Sequence, residues 1–224
     1  GLPSSRRSFL RGAALAGLGV GGASVLGACG NEGGDVAANS DDDDLGFAGT
    51  VLGTPLQKPT IAFTDTSGQP YDVAERTKGK LTLMLFGYTS CPDVCPVHLS
   101  IIASTLADLS GPASKTNVLF VGVDTKRDTP AAMRKFLDSR DRDFVGLTAD
   151  PAAIDDALKQ LLLPPVVIEP PRADGTYTVG HPSQILAFTP DDRCHIVYPF
   201  GVLERQWAKD LPRLVTFDWP DTRR

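Results

Sequence analysis

Residues 81–96 read LTLMLFGYTSCPDVCP, an unbroken apolar run followed by a polar turn with two cysteines four residues apart. Leu81 to Phe86 carries no charge and is bounded by Lys80 and Gly87, the pattern of a strand buried on both faces. From Pro96 to Leu109 the apolar residues Leu99, Ile102, Leu106 and Leu109 fall at helical spacing. The cysteines therefore stand where a buried strand gives way to the start of a helix. A helix start offers unpaired N–H groups and the positive end of the helix dipole, and both favour thiolate over thiol. If Cys91 and Cys95 share the first helical turn, their spacing puts both sulfurs on one face. One soft cation could then bridge them, or they could close a disulfide. The two outcomes exclude each other, because an oxidised pair has no thiolate left. A disulfide that only staples the fold is the weaker alternative, since stapling bonds usually join distant segments.

Downstream, Asn117 to Asp124 (NVLFVGVD) is a second buried strand, and Thr129-Pro130 predicts a helix start with Thr129 as N-cap, running to Leu137. Phe144 to Leu147 reads as a short strand, and Asp150-Pro151 as the cap of a helix reaching about Leu162. The stretch 164–180 holds four prolines and reads as a loop or hairpin excursion. Gln184 to Phe188 and His195 to Tyr198 form a strand pair across Asp191-Asp192, and Glu204 to Val215 a last helix that Pro212 frays or kinks. Upstream, Pro59 to Thr64 and the turn Asp65 to Pro70 suggest a short hairpin. Strands alternating with helices, then a late hairpin, predict one α/β domain with a mixed sheet flanked by helices.

The N-terminal part reads differently. Ser5-Arg6-Arg7-Ser8-Phe9-Leu10-Arg11 is a twin-arginine region ahead of the small, apolar run Gly12 to Gly27, which ends in Leu26-Gly27-Ala28-Cys29. That is an export signal, expected over residues 1–28. Its end resembles a lipobox, in which Cys29 is lipidated and becomes the new N-terminus. A plain cleavable signal and a short signal-anchor are the lesser alternatives. Position 1 is Gly, so the natural start is expected upstream. Residues 29–50, with Asp41 to Asp44 in a row, are expected to form an acidic flexible tether, and 51–224 the folded domain. Past residue 30 no apolar stretch is long enough to span a membrane. The expected location is the extracytoplasmic face of the cell membrane, held by the lipid anchor. The 224-residue chain has a formal charge of −5, and losing Arg6, Arg7 and Arg11 takes it to −8. An acidic product offers no case for nucleic-acid binding.

With these motifs in place, the sequence resembles the SCO/SenC family. GYTSCPDVCP after an apolar strand is similar to its C-x-x-x-C segment, VDTKRDTP (Val123 to Pro130) to its V-D-P-x-R-D-T-P, and FVGLTAD (Phe144 to Asp150) to its F-x-G-L-T-G. His181, in Val179-Gly180-His181-Pro182-Ser183, falls where the family carries a liganding histidine before a late strand. The resemblance spans about residues 57 to 215. It implies a thioredoxin-like fold, a copper site of Cys91, Cys95 and His181, and a copper-chaperone role. The implied client is the copper-centre subunit of a haem-copper cytochrome oxidase, with an upstream copper donor or thiol reductant as a further partner.

The ligand chemistry agrees: two thiolates and an imidazole suit Cu(I), and hold Cu(II) with one more oxygen. Structural zinc would recruit a fourth protein ligand. Asp124 and Asp128 are candidates to orient the site from behind the ligands, or else to cap the following helix. His98 is expected to face solvent or to serve as an auxiliary ligand, and Cys194 to be a buried free thiol. The competing function is a thiol:disulfide oxidoreductase acting on the oxidase or other exported proteins. It needs two thiols and no imidazole, so His181 discriminates between the two. A peroxidase using one of the cysteines, and a structural or adhesive lipoprotein, rank lower.

Overall fold

The computed structural model describes residues 45–219, so the twin arginines, Cys29 and the Asp41 to Asp44 run lie outside the described residues. In chain order the elements begin with β1 (Thr50–Gln57), β2 (Phe63–Asp65), β3 (Pro70–Tyr71), α1 (Val73–Arg76), β4 (Thr82–Gly87) and α2 (Val94–Asp108). A 3-10 turn (Gly111–Lys115) leads into β5 (Asn117–Gly122), α3 (Pro130–Asp138), β6 (Val145–Thr148) and α4 (Pro151–Gln160). Then follow β7 (Val167–Ile168), β8 (Val179–Gly180), β9 (Ile185–Phe188), β10 (Arg193–Tyr198) and α5 (Glu204–Thr216).

Eight strands form one mixed sheet in the order β1-β10-β9-β4-β5-β6-β2-β3. β4, β5 and β6 run parallel, with Thr82 opposite Asn117 and Phe120 opposite Gly146. β9 pairs antiparallel to β4, with Leu83 opposite Ala187, and the outer pairs are antiparallel too. The uncharged runs take the middle of the sheet because those strands have no face left for water. β4 and β9 are buried at every residue and β5 at all but Asn117. α2 packs against α5, with Ser104 Oγ donating to Glu204 Oε1 at 2.9 Å, and α3 packs on β6. This is the expected α/β arrangement of a mixed sheet flanked by helices.

Local chemistry explains the element ends. Asp65 Oδ1 accepts from the backbone N–H of Ser67 and Gln69, and Gly68 takes φ +83°, closing the β2–β3 turn. Thr129 caps α3 by accepting from Ala132 N at 3.2 Å, with Pro130 in its first position. α4 also opens on a proline, but Asp150 makes no side-chain capping bond. α5 runs through Pro212 to Thr216, so the proline does not end it. No described helix is long and apolar enough to cross a membrane.

The folded body starts earlier than position 51. Arg213 donates to the carbonyls of Leu45 (2.5 Å) and Gly46 (2.9 Å) and lies 3.9 Å from the Phe47 ring centroid. Ala48 N donates to the buried Asp210 Oδ2 at 2.7 Å, so residues 45–50, expected in the tether, are docked on α5 and lead straight into β1.

Candidate metal centre

β4 ends at Gly87, and the chain turns through Tyr88 to Cys91, with Cys91 N donating to Tyr88 O at 3.0 Å. Asp93 then caps α2, its Oδ1 accepting from Val94 N at 2.6 Å. Pro96 fits in the first turn because its missing N–H would have had no partner there. Cys95 is the second residue of α2, whereas Cys91 stays in the preceding turn. The two thiols therefore do not share a helical turn; the turn folds back, and that is what brings them together. Both are buried and both are free thiols. Gly87 makes the room: a Cβ there would stand 2.6 Å from Cys95 Sγ.

His181 arrives from the far side of the sequence, in the segment between β8 and β9. Its Nδ1 lies 2.8 Å from Pro182 O. A carbonyl only accepts, so Nδ1 carries a proton there, and Nε2 is the ring nitrogen turned toward the thiols. That Nε2 stands 3.7 Å from Cys95 Sγ. The Tyr88 ring meets the imidazole edge-on, 5.4 Å between centroids, and walls one side. The donor atoms of Cys91, Cys95 and His181 all lie within 4.8 Å of one another. For bonds of roughly 2.3 Å to sulfur and 2.0 Å to nitrogen, a trigonal ion would hold those two donors about 3.7 Å apart. The Cys95–His181 gap matches that spacing, and two sulfurs with one imidazole fit a soft metal ion.

The thiols are electrostatically unequal. The Cys95 thiol, which donates to the Cys91 sulfur, lowers Cys91 from the ordinary thiol value near 9 to about 4, and the backbone N–H groups of Cys95 and Asp93 add to this. Cys95 moves the other way: keeping that bond, and its burial, hold its proton on. Asp93 Oδ1 is 3.9 Å from Cys91 Sγ, at the limit for a sulfur donor. Its closer partner is Val94 N, so it does not displace the donors that favour the thiolate. At neutral pH the pair is one thiolate and one thiol.

Neither Asp124 nor Asp128 is in the donor cluster. Asp128 Oδ1 accepts from both the N–H and the hydroxyl of Thr89 at 2.8 Å, and Oδ2 from Asp124 N at 3.0 Å. It therefore grips the turn that carries Cys91, while Thr129, not Asp128, caps α3. Burial pushes the Asp128 carboxyl up. Asp124, fully buried, pairs with Arg127 and accepts from Tyr177 OH at 3.0 Å. Arg127 lies over the rings of Tyr177 (3.8 Å) and Tyr88 (5.5 Å), so the Asp124 side chain is linked to the aromatic wall beside His181. Neither Tyr88 nor Tyr177 stood out in the sequence; Tyr88, inside the motif itself, was the one with a signal.

His98 departs from both expectations. It is 4% exposed, and its Nε2 lies 3.0 Å from Ser183 O, so it neither faces solvent nor joins the donor cluster. Burial lowers its pKa. Cys194 is the expected buried thiol, its Sγ donating to Ile196 O at 3.3 Å and burial pushing it up to about 12.

Comparison with known proteins adds the following. The family model described as SCO1/SenC matches residues 53–216. A "Putative copper-binding protein" of Stutzerimonas stutzeri is 29% identical over 154 residues, 66% of this chain and 74% of that protein. An SCO2-like protein of Rickettsia conorii is 30% identical over 119 residues, 53% of this chain; the match spans little more than half of that relative, 58%. Among solved structures, copper-bound ScoI of Bradyrhizobium japonicum superposes with a TM-score of 0.60 at 35% identity, covering 73% of this chain and 99% of that one.

Proposed function

The chain belongs to the SCO1/SenC family, and on that premise we propose that it is a copper chaperone of the extracytoplasmic membrane face. It takes one copper ion on Cys91, Cys95 and His181 and passes it to the copper-centre subunit of a haem-copper cytochrome oxidase. The observation that carries this reading is His181 Nε2, aimed at Cys95 from 3.7 Å. Thiol–disulfide exchange needs the two thiols but no imidazole held at metal-bonding distance from them. A relative that holds copper on the same fold supports the choice of metal. Arg6-Arg7 and the Leu26 to Cys29 sequence support export and lipid anchoring at Cys29.

A second reading has its own support in the unequal thiols. A Cys91 thiolate can attack a client disulfide, forming a mixed disulfide and releasing one client thiolate. Cys95, once it loses its proton, then attacks Cys91 and frees the second client thiol, leaving a Cys91–Cys95 disulfide. The readings separate on one variant. Copper-loaded chain incubated with the metal-free, reduced copper-centre subunit should build that subunit's copper absorption, and His181→Ala should abolish the transfer. If neither wild type nor His181→Ala transfers copper, yet both reduce the subunit's disulfide, the oxidoreductase reading takes its place.

A further inference from the structure

β8, which ends one residue before His181, pairs only with β7 in a separate two-stranded sheet. The main sheet resumes at Ile185, the start of β9, so residues 181–184 belong to neither ladder. Yet the imidazole has to be held against a thiol 86 positions earlier in the chain. An anchor reaches this segment from α2. His98 Nε2, 3.0 Å from Ser183 O, faces a group that can only accept, so it must donate. The Phe200 ring closes on His98 edge-on at 5.2 Å and fixes its plane. Cys95 and His98 stand three residues apart on α2, side by side on one helical face. One rigid element thus carries a thiol of the site and the clamp on the segment that carries the imidazole.

We propose that His98 is a positioning residue: through the Ser183 carbonyl it presets the His181 ring beside Cys95 before any metal arrives. This rests on the copper-site reading for its purpose but not for its geometry. Most of the cost of ordering a loop ligand is then met when the protein folds, so the free site is already close to the bound one.

The test uses the full-length reduced chain, as wild type, His98→Leu and His98→Gln. Leucine fills the buried space without a donor, whereas glutamine offers an amide N–H near the position of Nε2. Without metal, nitrogen NMR of the His181 ring should show the single Nδ1–H tautomer in wild type and His98→Gln, and an averaged or broadened ring in His98→Leu. With copper, His98→Leu should lose about ten-fold or more in affinity by chelator competition, the scale set by removing a support behind a ligand. Its Cu(II) resonance should also lose the sharp nitrogen splitting, and His98→Gln should restore both. An unchanged ring spectrum in His98→Leu would overturn the proposal. So would equal losses in both variants that simply follow their melting temperatures. A wild-type chain that took no copper would refute the copper reading instead, and the metal-free ring spectra would still decide the role of His98.

Discussion

Gly87 has no side chain where Cys95 places its sulfur, and an added Cβ would meet Sγ at 2.6 Å and the Phe120 ring at 2.8 Å. Both neighbours are packed into the core, so neither can simply swing aside. Gly87→Ala should destabilise the protein by about 1–3 kcal/mol, the usual cost of overpacking, and should weaken copper binding because the displaced group is a proposed ligand. Denaturant unfolding and chelator competition on the same variant check both. At this scale the sequence was most informative about the donor cluster. Cys91, Cys95 and His181 were legible from motif and resemblance, and the fold brings the three together. It was least informative about His98, because a histidine three residues past a cysteine on a helix looks the same whether its partner is water, metal or a carbonyl 85 residues away. That partner exists only once β9 lies beside β4.

At the scale of elements, the turn holding Cys91 is tied to the β5–α3 connection by Asp128, whose carboxylate receives three hydrogen bonds. Asp128→Asn would turn one acceptor into an N–H group facing the Asp124 N–H. The expected cost is about 1–3 kcal/mol for the unsatisfied buried groups. Alkylation of Cys91 should also change, since the turn is no longer fixed; an unchanged rate would show that Asp128 serves only the fold. Elements with strong local patterns were readable: β4, β5 and α3 fall within a residue or two of expectation. β1 was not. Its TVLGTPLQ run is mostly half-buried or exposed, contains Gly53 and Pro55, and shifts register against β10 between Val51 and Leu56. An edge strand with a bulge carries neither the alternation nor the continuous apolar run that marks a strand. The docking of residues 45–49 depends on Asp210 and Arg213, more than 160 positions away, and left no local trace either.

For the molecule as a whole, the unequal thiols tie copper uptake to protons. With Cys91 at about 4 it is already a thiolate at neutral pH, while Cys95 keeps its proton. Binding through both sulfurs should release about one proton from the pair per copper, measurable with an indicator dye in weak buffer. Cys95→Ser should lose that release. The sign for stability follows: the lowered Cys91 stabilises the copper-free fold above the ordinary thiol value, and that contribution is lost as pH falls through about 4. Cys194, raised to about 12, contributes below the ordinary value and is lost as pH rises toward 12. On the proposed reading, the three side chains gathered at the start of α2 form one copper site. X-ray absorption on the Cu(I)-loaded, reduced chain tests it most directly. Two sulfur scatterers and one imidazole nitrogen are expected, with only the nitrogen lost in His181→Ala. Copper that shows no sulfur, or a spectrum unchanged in Cys91→Ser/Cys95→Ser, would contradict it.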